Sequence, residues 1–321
     1  MKIAIVTSKI NAVGGVEIFN NYIKRILSNR GHIVDIYGKE SLKNNSGEDL
    51  EQQVGEHFNL VNKSKNYDLV LCNGEYGFVV DHKKAINIFH GNYYGYALSV
   101  KDLVPKEITD KRLEKAELQK VSAKDKYVVT VSKSSKKQLE EYGIKVDRVI
   151  NNSADSDIFF TMDLPLNGSS IVVARGRYYE KGFDIVKRLA GKGIKINMYS
   201  DIRLYTENIA EHNFINQNDL RREYNQANSL LFPSRFEGGS LTVLEAMACG
   251  CPVVTTPTGY GQDIKKEINN FVAESFDEFF VKSFLVSNER EKYSKLALDY
   301  FHAYHSPGKF EKEWIELIEG L

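Results

Sequence analysis

FEGGSLTVLEAMACGCPVV, residues 236–254, decides how the chain is to be read. Leu241, Val243, Leu244, Ala246, Met247 and Ala248 make it apolar nearly all round, which predicts a buried helix. Ser240 is a candidate N-cap and Gly250 a candidate stop. β-branched or apolar runs flank it at Ser229–Phe232 and Pro252–Thr255, so the unit reads strand, helix, strand. Two carboxylates remain in this apolar setting, Glu237 in the loop and Glu245 in the helix. A buried carboxylate is costly unless it is paired or accepts hydrogen bonds. On spacing alone two readings stand: Glu245 meets a distant Arg or Lys, or its partner is a ligand. The helix's first turn lies above a strand's carboxyl end, where open α/β sheets bind ligands. Free N–H groups there favour an anion such as phosphate, and Gly238-Gly239 lets a ligand approach the backbone.

The same rhythm extends outward. Lys2–Thr7 predicts a buried strand, Val16–Leu27 a helix that Gly31 stops, and Ile33–Tyr37 the next strand. Further strands are expected near 68–73, 85–90, 127–132 and 148–152, with helices near 106–122 and 132–142. Residues 153–168 interrupt this series. A second one follows, with strands near 170–174, 194–200, 229–232 and 252–255, and helices near 181–190, 218–227 and 240–249. The fold class is α/β, two Rossmann-like domains facing each other across a cleft. The expected divisions are 1–155, a linker at 156–168, 169–305, and a docking helix at 306–321. Phe310, Trp314, Leu317 and Leu321 share one face of that last helix. Residues 38–50 are polar and predict a loop.

Bulk properties narrow the function. The chain has 321 residues, a net charge of zero, 42% hydrophobic and 27% charged residues. A balanced charge argues against a nucleic-acid binder. The three cysteines, Cys72, Cys249 and Cys251, form no CxxC pair, so neither a disulfide framework nor a zinc site is expected. No run reaches the roughly 18 apolar residues of a membrane span. The N-terminal apolar run is too short for a signal peptide, and a cytoplasmic location is expected.

Glu237 and Glu245 form E-x7-E within FPSRFEGGSLTVLEAMACGCPVV. The stretch resembles the signature of the family 4 retaining glycosyltransferases, which have the GT-B fold. The resemblance implies that Glu237 contacts the donor sugar and Glu245 the nucleotide ribose, while Ser240 and Leu241 offer N–H groups to the diphosphate. It departs in placing Gly239-Ser240 where an aromatic residue and glycine are common. VVARGRYYEKGFD, 172–184, is similar to the family's Arg and Lys element for the leaving diphosphate. Lys181 and Arg177 match it, with a spacing one residue short; Arg175 would make it one too long. NAVGGVE, 11–17, is similar to the family's glycine-rich loop, with Gly14 and Gly15 near the donor. Read without the family it is a tight turn, and it is not G-x-G-x-x-G, so a nicotinamide cofactor is a poor fit. In NIFHGNYYGY, 87–96, His90 matches a family histidine near the donor sugar and the reacting centre. Tyr93, Tyr94 and Tyr96 flank an acceptor or simply pack.

Together these imply a retaining transferase that moves a sugar from a nucleoside-diphosphate sugar, UDP-sugar favoured, to a glycan or lipid-linked acceptor. No cofactor and no metal are expected; Asp155-Ser156-Asp157 mimics a metal motif but lies in the linker. Residues 101–148 carry 13 Lys/Arg against nine Asp/Glu. Peripheral contact with the inner face of a membrane is the weaker expectation there, a solvated helix face the stronger. A sugar-nucleotide epimerase and a non-catalytic partner subunit on the same fold are the rival readings.

Overall fold

The computed structural model describes residues 1–11, 14–42 and 49–321. Ala12-Val13 of the glycine-rich stretch and residues 43–48 of the expected polar loop lie outside the described residues. The chain divides into two units. The first comprises Met1–Lys101, Pro105–Asn152 and Glu311–Leu321; the second is Ser153–Phe310 with Asp102–Val104.

The first unit runs β1 Lys2–Val6, α1 Gly15–Asn29, β2 Ile33–Tyr37, α2 Leu50–Lys65, β3 Leu69–Asn73, β4 Ala85–Phe89, α3 Tyr93–Val100, α4 Lys106–Ala123, β5 Tyr127–Thr130, α5 Lys133–Glu141 and β6 Arg148–Val149. Its six strands pair in parallel, in the order β2-β1-β3-β4-β5-β6. β1, β3 and β4 are near-continuous apolar runs, as strands covered on both faces must be. The strand order reverses between β1 and β3, so the crevice expected of this fold opens at Thr7 and Asn73.

The second unit runs β7 Ser170–Val173, α6 Phe183–Gly191, β8 Ile196–Tyr199, β9 Ile209–His212, α7 Gln217–Gln226, β10 Leu230–Phe232, α8 Leu241–Ala248, β11 Val253–Thr255, α9 Gly261–Glu267, α10 Phe276–Asn288 and α11 Arg290–Tyr304. Its parallel sheet has the order β11-β10-β7-β8-β9, reversing between β7 and β10. Residues 156–168 contain no helix or strand, yet they are fastened to this unit. Phe159 is 2% exposed, Arg221 donates to the Ile158 carbonyl, and Asn225 bonds both Phe160 and Met162.

The last helix, α12 Pro307–Glu319, enters the first unit at Glu311. Trp314 is fully buried with its ring 5.6 Å from that of Phe19 on α1. Tyr22 bonds Glu311, and Arg30 pairs with Glu319. The sequence spacing places Leu321 on the buried face. It is 44% exposed, beyond the helix end, and Ile318 takes the inner position instead.

Candidate active site

At the reversal point of the second sheet, two loops meet. One follows β7, residues 174–182, and the other follows β10, residues 233–240. Gly182 shows why they lie so close. Its φ is +69°, and a Cβ there would fall 2.1 Å from the Pro233 carbonyl oxygen, so only glycine fits. Arg235 then clamps the loops together. Its guanidinium grips Asp184 through two bonds of 2.8 and 2.6 Å, and its backbone N–H donates to the Glu180 carbonyl.

This clamp sets Lys181 opposite Glu237, and Lys181 Nζ donates to Glu237 Oε1 at 2.6 Å. Both side chains are mostly buried, at 22% and 14% exposure. The loop after β11 backs Glu237: Gly259, at φ +54°, would bring a Cβ within 3.1 Å of the Glu237 Cβ. The cavity between that loop and Glu237 measures about 10 Å³, room for one water at most. It is a wall behind the glutamate, not a binding pocket.

Arg177 and Arg175 differ. The Arg175 guanidinium lies over the Phe214 ring at 4.3 Å. Arg177 is exposed and sits at φ +58°, a left-handed conformation that costs a non-glycine residue about 1 kcal/mol or more. Strain of that kind marks a position that the surroundings over-determine.

Gly238-Gly239 lead into α8. Ser240 occupies the N-cap position, as its place in the sequence predicts, although its side chain makes no capping bond. The N–H groups of the first turn, Leu241 among them, have no partner within the helix. At the other end Gly250, at φ +68°, closes the helix. Cys251 N–H reaches the Ala246 carbonyl and Gly250 N–H the Met247 carbonyl, a complete Schellman pair.

Glu245 lies inside α8 at 6% exposure. Among the described residues no Lys or Arg pairs with it. Burial pushes its carboxyl up from 4.5 to about 7. The opposing influence is the Tyr224 hydroxyl on α7, near enough to pull the pKa back but without a hydrogen bond of ordinary geometry. The reading in which Glu245 pairs with a distant cation is therefore excluded among the described residues.

Gly14, Gly15 and His90 belong to the first unit. Gly14 precedes α1 in an extended conformation, and a Cβ there would meet the Glu17 carboxylate at 2.4 Å. The N-terminus of α1 thus already faces a carboxylate, a setting better suited to a sugar hydroxyl than to phosphate. His90 follows β4. Burial pushes its imidazole down to about 4, so it is neutral at pH 7. Its Nε2 lies 2.8 Å from Asn73 Oδ1, and the Phe19 ring meets it edge-on at 4.5 Å.

The nearby tyrosines pack. Tyr93 bonds Glu75, Tyr94 stacks on Tyr142 at 4.4 Å, and Tyr96 lies under Arg112. Among the described residues no cluster of three His, Cys, Asp or Glu could hold a metal ion, and no helix is long and apolar enough to cross a membrane. Sequence reasoning missed Arg235 and Asp184, and it missed Thr7, Asn20 and Asn73. P-S-R and G-F-D stood in the quoted motifs, but the pairing between them spans 51 residues.

Residues 172–283 match the family described as Glycosyl transferases group 1. None of the curated protein sequences matches the chain. Among solved structures, sucrose-phosphate synthase from Thermosynechococcus elongatus is similar over 99% of this chain and 98% of its own, with 15% identity and a TM-score of 0.81. WaaG, a glycosyltransferase involved in lipopolysaccharide biosynthesis, is similar over 99% of this chain and 100% of its own, with 14% identity and a TM-score of 0.78. The catalytic domain of starch synthase IV from Arabidopsis thaliana, bound to ADP and acarbose, is similar over 98% of each chain, with 13% identity and a TM-score of 0.65. At these identities the likeness is one of fold. The family match thus lies within the second unit, and the two parallel sheets, each with its reversal point, give the chain the GT-B fold of these structures.

Proposed function

We propose that the protein is a retaining glycosyltransferase that moves a sugar from a nucleoside-diphosphate sugar, with UDP-sugar the first choice, to a hydroxyl of a glycan or lipid-linked acceptor. The observation that carries this reading is Glu245, a buried carboxylate with no cation beside it among the described residues. Such a group is costly in the ligand-free protein, and ribose hydroxyls are donors that would satisfy it. The ADP named with the starch synthase structure is consistent with a nucleoside diphosphate at this fold.

The roles follow the resemblance of the motifs. Lys181, Arg177 and the N–H groups of Ser240 and Leu241 hold the diphosphate and stabilise it as it leaves. Gly238-Gly239 let it reach the backbone. The resemblance assigns Glu237 to the donor sugar in the second unit, and His90, Gly14 and Gly15 to the donor in the first. No side chain is assigned as a covalent nucleophile; the acceptor hydroxyl attacks on the face the diphosphate leaves, which takes the proton. No metal or cofactor has a role in this scheme.

The reading also places the protein in the cytoplasm, with peripheral contact at the inner face of a membrane. α3 and α4 expose Leu98 and Ile108 along a segment that also exposes Lys101, Lys106 and Lys111. Sedimentation with anionic vesicles tests that contact; a protein left in the supernatant rules it out.

The experiment for the main reading is thermal unfolding with UDP, GDP, ADP and CMP, on wild type and on Glu245→Ala. A ligand at 100 times its dissociation constant adds about 2.7 kcal/mol. One diphosphate should raise wild-type Tm and leave the variant unmoved. If none shifts wild type, and no nucleotide sugar is turned over with acceptor present, the reading fails.

A further inference from the structure

A chain of side chains runs back from His90. His90 Nε2 meets Asn73 Oδ1 at 2.8 Å, Asn73 Nδ2 donates to Asn20 Oδ1 at 2.9 Å, and Asn20 Nδ2 donates to Thr7 Oγ1 at 3.2 Å. Thr7, Asn20 and Asn73 are 0%, 2% and 5% exposed. Buried amides of this kind cannot turn without losing their bonds, so the direction of each is held by its neighbour.

The placement is not incidental to the fold. Thr7 follows β1 and Asn73 ends β3, the two strands between which the sheet order reverses. Asn20 comes from α1, the helix that opens at Gly14-Gly15, and Phe19 of that helix packs against the His90 ring. The glycine-led helix and the histidine are therefore one assembly.

We infer that Asn73, braced by Asn20 and Thr7, is the positioning residue for His90: its carbonyl oxygen accepts a hydrogen bond from Nε2–H, fixing the neutral Nε2–H tautomer and leaving Nδ1 as an acceptor. Among the described residues Nδ1 has no hydrogen-bond partner. A lone pair there accepts from a hydroxyl and repels an oxyanion. The sugar it serves is an uncharged, hydroxylated one, not a uronate. This ligand assignment rests on the transferase reading; the tautomer does not.

The test is a long-range proton–nitrogen spectrum of histidine-labelled full-length protein at pH 7, with no ligand. Wild type should show His90 as a single Nε2–H tautomer. Asn73→Leu should turn it into a mixture, and Thr7→Val, at the far end of the chain, should do so in part. With donor, Asn73→Leu should lower kcat about ten-fold, on the order of one hydrogen bond, with KM little changed. If Asn73→Leu does not fold, wild type and Thr7→Val decide. A wild-type proton on Nδ1, or an unchanged tautomer in a folded Asn73→Leu, overturns the inference while leaving sugar transfer free to proceed. An Nε2–H tautomer in a protein that binds no nucleotide sustains the positioning and sinks the transferase reading.

Discussion

The two sheets reverse their strand order at equivalent points, and the side chains gathered there are of opposite character. In the first unit the reversal point holds Thr7, Asn20, Asn73 and a neutral His90, with no charged group in the chain of bonds. In the second it holds Lys181 against Glu237, Arg235 against Asp184, and Glu245 one helix turn away. A neutral hydrogen-bonding rack discriminates hydroxyls by geometry and costs little to bury. An ionic one can hold a diphosphate, and it must be neutralised while the ligand is absent. The Lys181–Glu237 pair does that neutralising. In the proposed reading a single fold principle, ligands at the strand-order reversal, serves two chemistries because the loops differ.

The strongest way to break that contrast is to remove one half of the ionic pair. Lys181→Ala leaves Glu237 buried and uncompensated and, in the proposed reaction, takes a cation from the leaving diphosphate. Transfer should fall on the order of 100- to 1000-fold, and diphosphate binding should weaken with it. Glu237→Gln should lose transfer to a similar degree, yet bind free diphosphate as well as wild type or better, because Lys181 no longer has a competing carboxylate. Steady-state kinetics with calorimetric diphosphate titration separates the two. Equal weakening of diphosphate binding in both variants would mean that the pair is structural.

Glu245 sharpens the contrast through pH. Its pKa rises from 4.5 to about 7 on folding. Below about 4.5 the group is protonated whether folded or not, and burial costs nothing. As pH rises toward 7 the unfolded chain ionises first, so stability falls, levelling off above 7 after a loss of roughly 3 kcal/mol. Glu245→Gln should therefore raise Tm at pH 8 and flatten its decline between pH 5 and 8, while abolishing stabilisation by the nucleotide. A variant less stable than wild type at pH 8 would show that the carboxylate has a protein partner after all.

Legibility divided along the same line. The ionic site was readable because its residues fall in short motifs: Glu237 and Glu245 within one stretch of ten residues, Lys181 at the end of a strand-led loop. The neutral rack left no local trace. Its bonds join residues 13, 53 and 17 positions apart, and threonine and asparagine carry no signal that sets them apart from surface polar residues. The strands and helices of the two βα series were legible from apolar runs. Six elements were not; α3 and α9, of eight and seven residues, are too short to establish a helical period. α2 is largely polar and buries only Glu51, Val54, Gly55 and Phe58, and β9 is a half-buried edge strand without a continuous apolar run. α10 exposes Val281 and Phe284, and α11 carries mixed charges along its length, which blurs helical periodicity in both. Leu321 misled for the converse reason: it fits the spacing of the docking face but falls past the last turn of α12.

Arg235 offers the next largest effect. Its fork to Asp184 holds the Lys181 loop against the Glu237 loop. Arg235→Ala should cost about 2 kcal/mol of stability and lower kcat by loosening Lys181 from its station. Arg235→Lys should rescue little, since one ammonium cannot reproduce two parallel bonds. Chemical denaturation and kcat for the two variants check this. Full activity in Arg235→Lys would show that charge alone, not the planar fork, sets the loop.

Tyr224 gives the smallest effect and the finest test of what satisfies Glu245. Its ring is fully buried, its hydroxyl lacks a bond of ordinary geometry, and yet it is the group that draws the Glu245 pKa down. Tyr224→Phe removes a buried, poorly paired polar atom, which by itself should leave stability unchanged within about 1 kcal/mol. Glu245 loses the one stabilising neighbour it has among the described residues, so the pH at which Tm begins to level off should move upward. Nucleotide binding should then need a higher pH, because the ribose must meet the ionised form. The pH dependence of nucleotide affinity between pH 6 and 8 reads this directly. An unmoved profile in Tyr224→Phe would mean that the hydroxyl does not reach the carboxylate, and that Glu245 depends on its ligand alone.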